Sequence, residues 1–238
     1  AMQTKSGIIY RGPSLIDGAP ILAIISGIKN PSDNAKTGAM AQVDIIREDE
    51  HPLEAIESGT DYSVCGNCPF RLAFNPETGK WERVCYVNLF FAPASKYRAS
   101  VRGSYSEMAV DDVATMCNVK ERGIRLGAYG DPASIPYENW DRLVQGANTF
   151  HTGYTHHWME PWFDKRLFKY AMASIDHVNT VEKLRELYPD NDYSDLQPDE
   201  IKCPSKNAQG ERVVTCEHCG LCAGTSLIAK NIVIVEGE

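Results

Sequence analysis

The residues best equipped for chemistry in this 238-residue chain are its cysteines, and seven of the eight fall into two groups. The later group is Cys203-Pro204 followed by Cys216-Glu217-His218-Cys219-Gly220-Leu221-Cys222. A thiolate is a soft donor, and two intervening residues let the chain turn so that successive sulfurs point at one centre. Four such sulfurs suit a [4Fe–4S] cluster or a tetrahedral zinc ion. The run of three at this spacing favours iron–sulfur, because structural zinc sites more often use two separated C-x-x-C pairs. Disulfides or unligated thiols are the remaining alternatives. His218, inside the loop, reads as an exposed neighbour of the site or a support for its ligands.

The earlier group is Cys65-Gly66-Asn67-Cys68-Pro69, with Cys85 after an excursion of sixteen residues. It supplies three thiolates and no obvious fourth donor nearby. Three protein ligands on a four-iron cluster leave one iron open to substrate or cofactor, and the same count on zinc leaves a place for water. The alternative is a closed structural site completed from a distance by His51, Cys117 or a carboxylate. Ala109, Val113, Met116 and Cys117 keep helical spacing, so Cys117 reads as a core thiol.

Composition bounds the rest. A hydrophobic fraction of 43% can fill a core without help from metal. A net charge of −8 and a pI near 5.3 argue against bulk binding to a phosphate backbone. No apolar run approaches the ~20 residues that span a bilayer, and no secretory signal is visible. A soluble, cytoplasmic protein with reduced cysteines is the expectation. The expected partners are a small-molecule substrate or an electron donor.

The elements that must position these residues follow from periodicity. Residues 21–28 read as a buried strand, 41–47 as a second, and 52–57 as a short helix with Pro52 at its start. Between the strands lies a polar loop, 30–38. Its Lys36-Thr37-Gly38 lacks the glycine spacing of a phosphate-binding loop. The stretch between Cys68 and Cys85 reads as a variable loop, and helices are expected over 93–102 and 107–121. From 123 the pattern becomes regular: a strand over 123–129, a helix over 136–147, a strand over 149–154, a helix over 162–169, a strand over 170–175 and a helix over 180–188. A last strand covers 231–235. Such alternation implies parallel βα units, which carry functional residues in the loops at strand C-termini.

The fold expectation is therefore α/β, a partial parallel βα barrel-like domain with a C-terminal cysteine-rich metal-binding extension. One compact domain covers 1–238, with core βα units over about 20–188 and the cluster-binding segment over about 196–238. Its strand-end loops hold Gly130-Asp131-Pro132, His156-His157 and Asp176-His177. Gly130, Asp131 and Pro132 are candidates to hold the amino end of a small ligand, and a plain turn is the competing reading. His156 and His157 suit metal ligation or proton transfer, although a packed role against Trp158 and Trp162 is the plainer reading. Asp176 is a candidate catalytic acid–base.

The set Cys65-x-x-Cys68…Cys85-Tyr86, Gly130-Asp131-Pro132 and Gly153-Tyr154-Thr155-His156 resembles a phage- and prophage-encoded family of cysteine-rich proteins. The likeness runs from about Tyr10 to Val235 and includes Asn34 to Gly38, Met172 to Asp176 and Cys203 to Cys222. That family implies no activity, and it implies the host cytoplasm as location. More distantly, the arrangement resembles radical S-adenosylmethionine (SAM) enzymes. That resemblance implies a SAM-binding cluster on Cys65, Cys68 and Cys85, with Asp131 replacing a glutamate that helps hold the SAM amino group. It also implies an auxiliary cluster on Cys203, Cys216, Cys219 and Cys222. In such enzymes the cysteines are usually three and then two residues apart, whereas here the gaps are two and sixteen.

Overall fold

A strand covered on both faces must be apolar throughout, and the run Ile21 to Ile25 is. In the computed structural model, which describes residues 6–31, 37–175, 180–187, 201–202, 215–216, 222 and 232–233, these five residues are fully buried. They belong to strand β2 (Pro20–Ser26), which lies between the antiparallel neighbours β1 (Ser6–Pro13) and β3 (Ala41–Arg47). The sequence reading contains no β1. Its outer edge is covered locally, where Ile8 exchanges backbone hydrogen bonds with Ser106 and Met108 at 3.0 and 2.9 Å.

After β3 the chain makes a long excursion before rejoining the sheet. Helix α1 (Pro52–Ser58) is capped by His51, whose Nδ1 accepts from the amide of Leu53 at 3.3 Å. A single-turn helix α2 (Tyr62–Cys65) follows, then the hairpin β4 (Ala73–Asn75) and β5 (Lys80–Glu82), where the sequence suggested a variable loop. Helices α3 (Ala92–Val101) and α4 (Val110–Val119) complete the excursion. On α4, Val110, Val113, Ala114 and Cys117 are buried, the spacing of one helical face.

Strand β6 (Ile124–Tyr129) then pairs parallel with β3. Helix α5 (Tyr137–Ala147) buries Trp140, Leu143, Val144 and Ala147 and packs against α4. Strands β7 (His151–Thr155) and β8 (Met172–Ala173) add on in parallel. The expected helix over 162–169 is a 3-10 turn confined to Lys165–Lys169. Helix α6 (Thr180–Leu187) follows, and β9 (Ile201–Lys202) pairs in parallel with β10 (Ile232–Val233).

The chain is thus mixed α/β, with a mostly parallel six-stranded central sheet in the order β1-β2-β3-β6-β7-β8. One ion pair sits inside it. Lys96 of α3 reaches Asp44 of β3, with side chains 7% and 3% exposed. No described helix is long and apolar enough to cross a membrane.

Candidate metal centre

Parallel strands β3, β6 and β7 bring their C-terminal ends together, and the loops there carry the candidate residues. Asp131 follows β6, and its amide donates to the carbonyl of Val64 at 2.7 Å, which ties β6 to α2. Gly130 makes that approach possible. Its φ is +80°, and a Cβ there would lie 2.8 Å from Cβ of Ile45 on β3. The Asp131 carboxylate, almost fully buried, accepts from the amide of Ala133 at 2.9 Å and from that of His156 at 2.7 Å. Pro132 begins the short 3-10 turn Pro132–Ser134. Asp131 therefore clasps its own turn and the end of β7 through backbone donors. His156 is half-buried, edge-on to Phe70 with ring centroids 5.4 Å apart.

The first cysteine group is assembled by Arg71. Its guanidinium grips the buried Asp61 carboxylate through Nε and Nη2, and it donates to the carbonyls of Gly66 from Nη1 at 2.9 Å and of Gly59 from Nη2 at 2.8 Å. That clamp closes the loop carrying Cys65 and Cys68, and the Cys68 amide bonds back to the Cys65 carbonyl at 3.2 Å. Cys85 returns to the same place because its amide donates to the Phe70 carbonyl at 3.0 Å. Arg83 fixes it from the other side, donating to the carbonyls of Cys85 and Val87 at 3.0 and 2.9 Å.

Burial pushes the Cys65 thiol well above the ordinary thiol range, and Asp61, Cys68, Cys85 and Asp131 add to the rise in that order. Burial likewise raises the Tyr129 phenol, with Cys65, Asp61 and Cys85 contributing. Cys65, Cys68 and Cys85 are half-buried free thiols, and thiols are soft donors of the kind a thiophilic metal takes. Among the described residues, no three His, Cys, Asp or Glu side chains gather closely enough to share one metal ion.

Beside Cys85 opens a cleft of about 450 Å3, walled by Leu53, Ile56, Arg83, Tyr86 and Phe90. Tyr86 is held over this mouth by Arg125 of β6, which bonds its hydroxyl and lies 5.7 Å from its ring centroid. Such a volume suits a small molecule.

Of the other candidates, Asp176, Cys203 and Cys219 lie outside the described residues, as do His177, His218 and the loop residues 32–36. Cys216 and Cys222 are half-buried. The Cys222 carbonyl accepts from the amide of Gly153 on β7 at 3.3 Å. Cys117 is fully buried in the core, where loss of solvent pushes its thiol up to about 12.

Sequence reasoning did not single out Arg71, Asp61 or Tyr129, and it ranked His156 above His157. The signal for the last was available. Strand alternation through Thr155 puts His157 on the buried side and His156 towards the surface. No family model, no curated protein and no solved structure matches the chain.

Proposed function

We propose that the chain is an iron–sulfur protein in which Cys65, Cys68 and Cys85 hold a [4Fe–4S] cluster, and that it is an enzyme acting on a small molecule in the adjoining cleft. The observation that carries this reading is the return of Cys85 to the loop of Cys65 and Cys68 through its backbone bond to Phe70, with Cys85 in the cleft wall. The preference for a cluster over zinc comes from the sequence, where Cys216, Cys219 and Cys222 run at two-residue spacing and not as two separated C-x-x-C pairs.

When bound, such a cluster supplies one electron for reductive cleavage of a sulfonium such as SAM, or a Lewis-acidic iron for lyase or desulfurase chemistry. The chain's own residues do the rest. Arg71 and Arg83 fix the two cysteine loops through backbone carbonyls. Leu53, Ile56 and Phe90 give the cleft its apolar walls, while Arg83 gives it a cationic one.

We read the sheet as a partial βα barrel. The parallel strands follow in the consecutive order β3-β6-β7-β8, and α4 packs on α5. That is the pattern of crossovers running one way round and keeping their helices on one face. Cys203, Cys216, Cys219 and Cys222 would form a second cluster on a C-terminal extension, and the bond from Gly153 to Cys222 supports its docking against β7.

Anaerobic purification with iron, sulfide and zinc analysis tests the reading. Iron and acid-labile sulfide are expected, with one cluster's share lost in Cys85→Ala. Colourless protein with stoichiometric zinc overturns the iron–sulfur assignment, and retention of all metal in Cys85→Ala overturns the division of the cysteines. SAM is expected to perturb the reduced cluster's EPR signal. If it does not, and no deoxyadenosine forms, the radical version is excluded.

A further inference from the structure

Arg83, Tyr86 and Asn88 line the cleft beside Cys85, and each is left with hydrogen-bond donors to offer. Arg83 is half-buried, and its Nη1 is spent on the backbone carbonyls of Cys85 and Val87. Among the described residues its Nε and Nη2 have no hydrogen bond, and no carboxylate forms an ion pair with it. Asn88 accepts from the amide of Phe90 at 3.0 Å through Oδ1, which leaves its amide nitrogen to donate. The Tyr86 oxygen accepts from Arg125, so its own proton is left for a further partner. Arg125 likewise has no carboxylate partner among the described residues. Two such arginines at one cleft stand out in a chain with 32 Asp and Glu against 24 Lys and Arg. Glu57, which is exposed, is the acidic side chain in the lining.

We infer that the cleft takes an aromatic carboxylate, with its anionic end on Arg83 and Asn88 and its ring against Tyr86 and Phe90. The inference rests on the reading of the cleft as a small-molecule site and is independent of the metal that the cysteines hold. A cation would meet the Arg83 guanidinium and find Glu57 as its one carboxylate in the lining. An anion meets donors instead. Nε and Nη2 lie on the same edge of a guanidinium and form the fork that takes both oxygens of a carboxylate. The opposite edge of Arg83 is fixed by two backbone carbonyls, so this fork is held in place before the ligand arrives. The rest of the lining selects the body. Tyr86 and Phe90 are 73% and 69% exposed, and Leu53 and Ile56 of α1 add aliphatic surface. A compact inorganic anion leaves these faces in water, whereas a planar ring covers them and gains their burial. A volume of about 450 Å3 holds such a body.

Calorimetric titration of the full-length, anaerobically prepared protein with indole-3-acetate, its neutral amide and inorganic phosphate tests this. The acid is expected to bind about tenfold tighter than the amide, and phosphate more weakly than either. Arg83→Gln should remove the preference for the acid while leaving the affinity for the amide unchanged. Phe90→Ala, at an exposed position that the fold does not need, should weaken both organic probes about fivefold. Glu57→Gln, also exposed, should tighten the acid about twofold by removing a like charge, and it keeps the test open if the Arg83 variant fails to fold. Equal binding of acid and amide overturns the carboxylate class and leaves the cleft as a small-molecule site. Phosphate binding as tightly as the acid overturns the aromatic body. An acid affinity unmoved by all three substitutions places the ligand elsewhere and overturns the inference. If neither organic probe binds, the inference and the reading of the cleft fall together, while the cluster is judged separately by the metal content of Cys85→Ala.

Discussion

The amide of His156 and Oδ2 of Asp131 are 2.7 Å apart, and through them the end of β7 hangs from the end of β6. Because the same carboxylate also accepts from Ala133, truncation of one side chain orphans two backbone donors. Asp131→Ala is expected to lose about 2–5 kcal/mol, and Asp131→Asn about half of that, since the amide keeps one acceptor. Hydrogen exchange at Ala133 and His156 checks the cause. Both amides should exchange faster in the alanine variant, and unchanged protection would show that the carboxylate is not their anchor.

Arg71 is the only cation that the described hydrogen bonds bring to Asp61, whose side chain is 4% exposed. Removing it leaves a buried carboxylate unpaired, so Arg71→Met should destabilise the fold by about 3–5 kcal/mol. Arg71→Lys keeps the charge and loses the fork that spans Asp61, Gly59 and Gly66. It should recover less than half of the loss in urea denaturation. Full recovery would mean that charge alone closes the loop.

Asp44 and Lys96 form the corresponding pair inside the sheet. Lys96→Ala is expected to cost about 3–5 kcal/mol. The joint replacement Asp44→Leu with Lys96→Met should cost far less, because removing both charges removes both desolvation penalties. Urea midpoints of Asp44→Leu, Lys96→Met and the double variant, beside the parent, form the cycle that measures this.

Cys117 links stability to pH. Its thiol rises from 9.0 to about 12 in the fold. The folded chain therefore keeps a proton that the unfolded chain sheds, and stability falls as pH climbs between those values. The stabilisation is fully present below about pH 9 and is on the order of 4 kcal/mol. Cys117→Ala should flatten this part of the stability–pH curve measured by urea denaturation. An unchanged slope would assign it to other groups, such as Tyr170, whose phenol burial also pushes up to about 12.

What was legible in the sequence was local. The unbroken apolar run of β2 and the repeating buried positions of α4 and α5 follow from strand and helix periods, and Cys117 falls on the buried face that its spacing indicates. The 3-10 turn at 165–169 was not separable from an α-helix, because five residues hold too few turns to show a period. Asp164, bonding the amide of Arg166, marks its late start. Strand β1 has a three-residue apolar run, too short to stand out before it pairs with β2. The site itself depends on contacts far apart in the chain. Asn67 reaches Glu160 across 93 residues, and Lys96 reaches Asp44 across 52. Spacing identifies Cys65 and Cys68 as a pair, whereas the return of Cys85 rests on one backbone bond to Phe70 that no composition announces.

That bond has a consequence for how the chain can change over time. It fastens the excursion at its neck, so the hairpin β4–β5 hangs outside the frame that sets the thiol positions. Lengthening such a loop twofold adds only about 0.6 kcal/mol of closure entropy. Insertions, deletions or wholesale exchange of residues 73–82 can therefore accumulate while the cysteines stay where they are. Related chains should differ most in size and surface at this one protrusion, and a foreign sequence or label grafted there should be carried without cost to the centre beneath it.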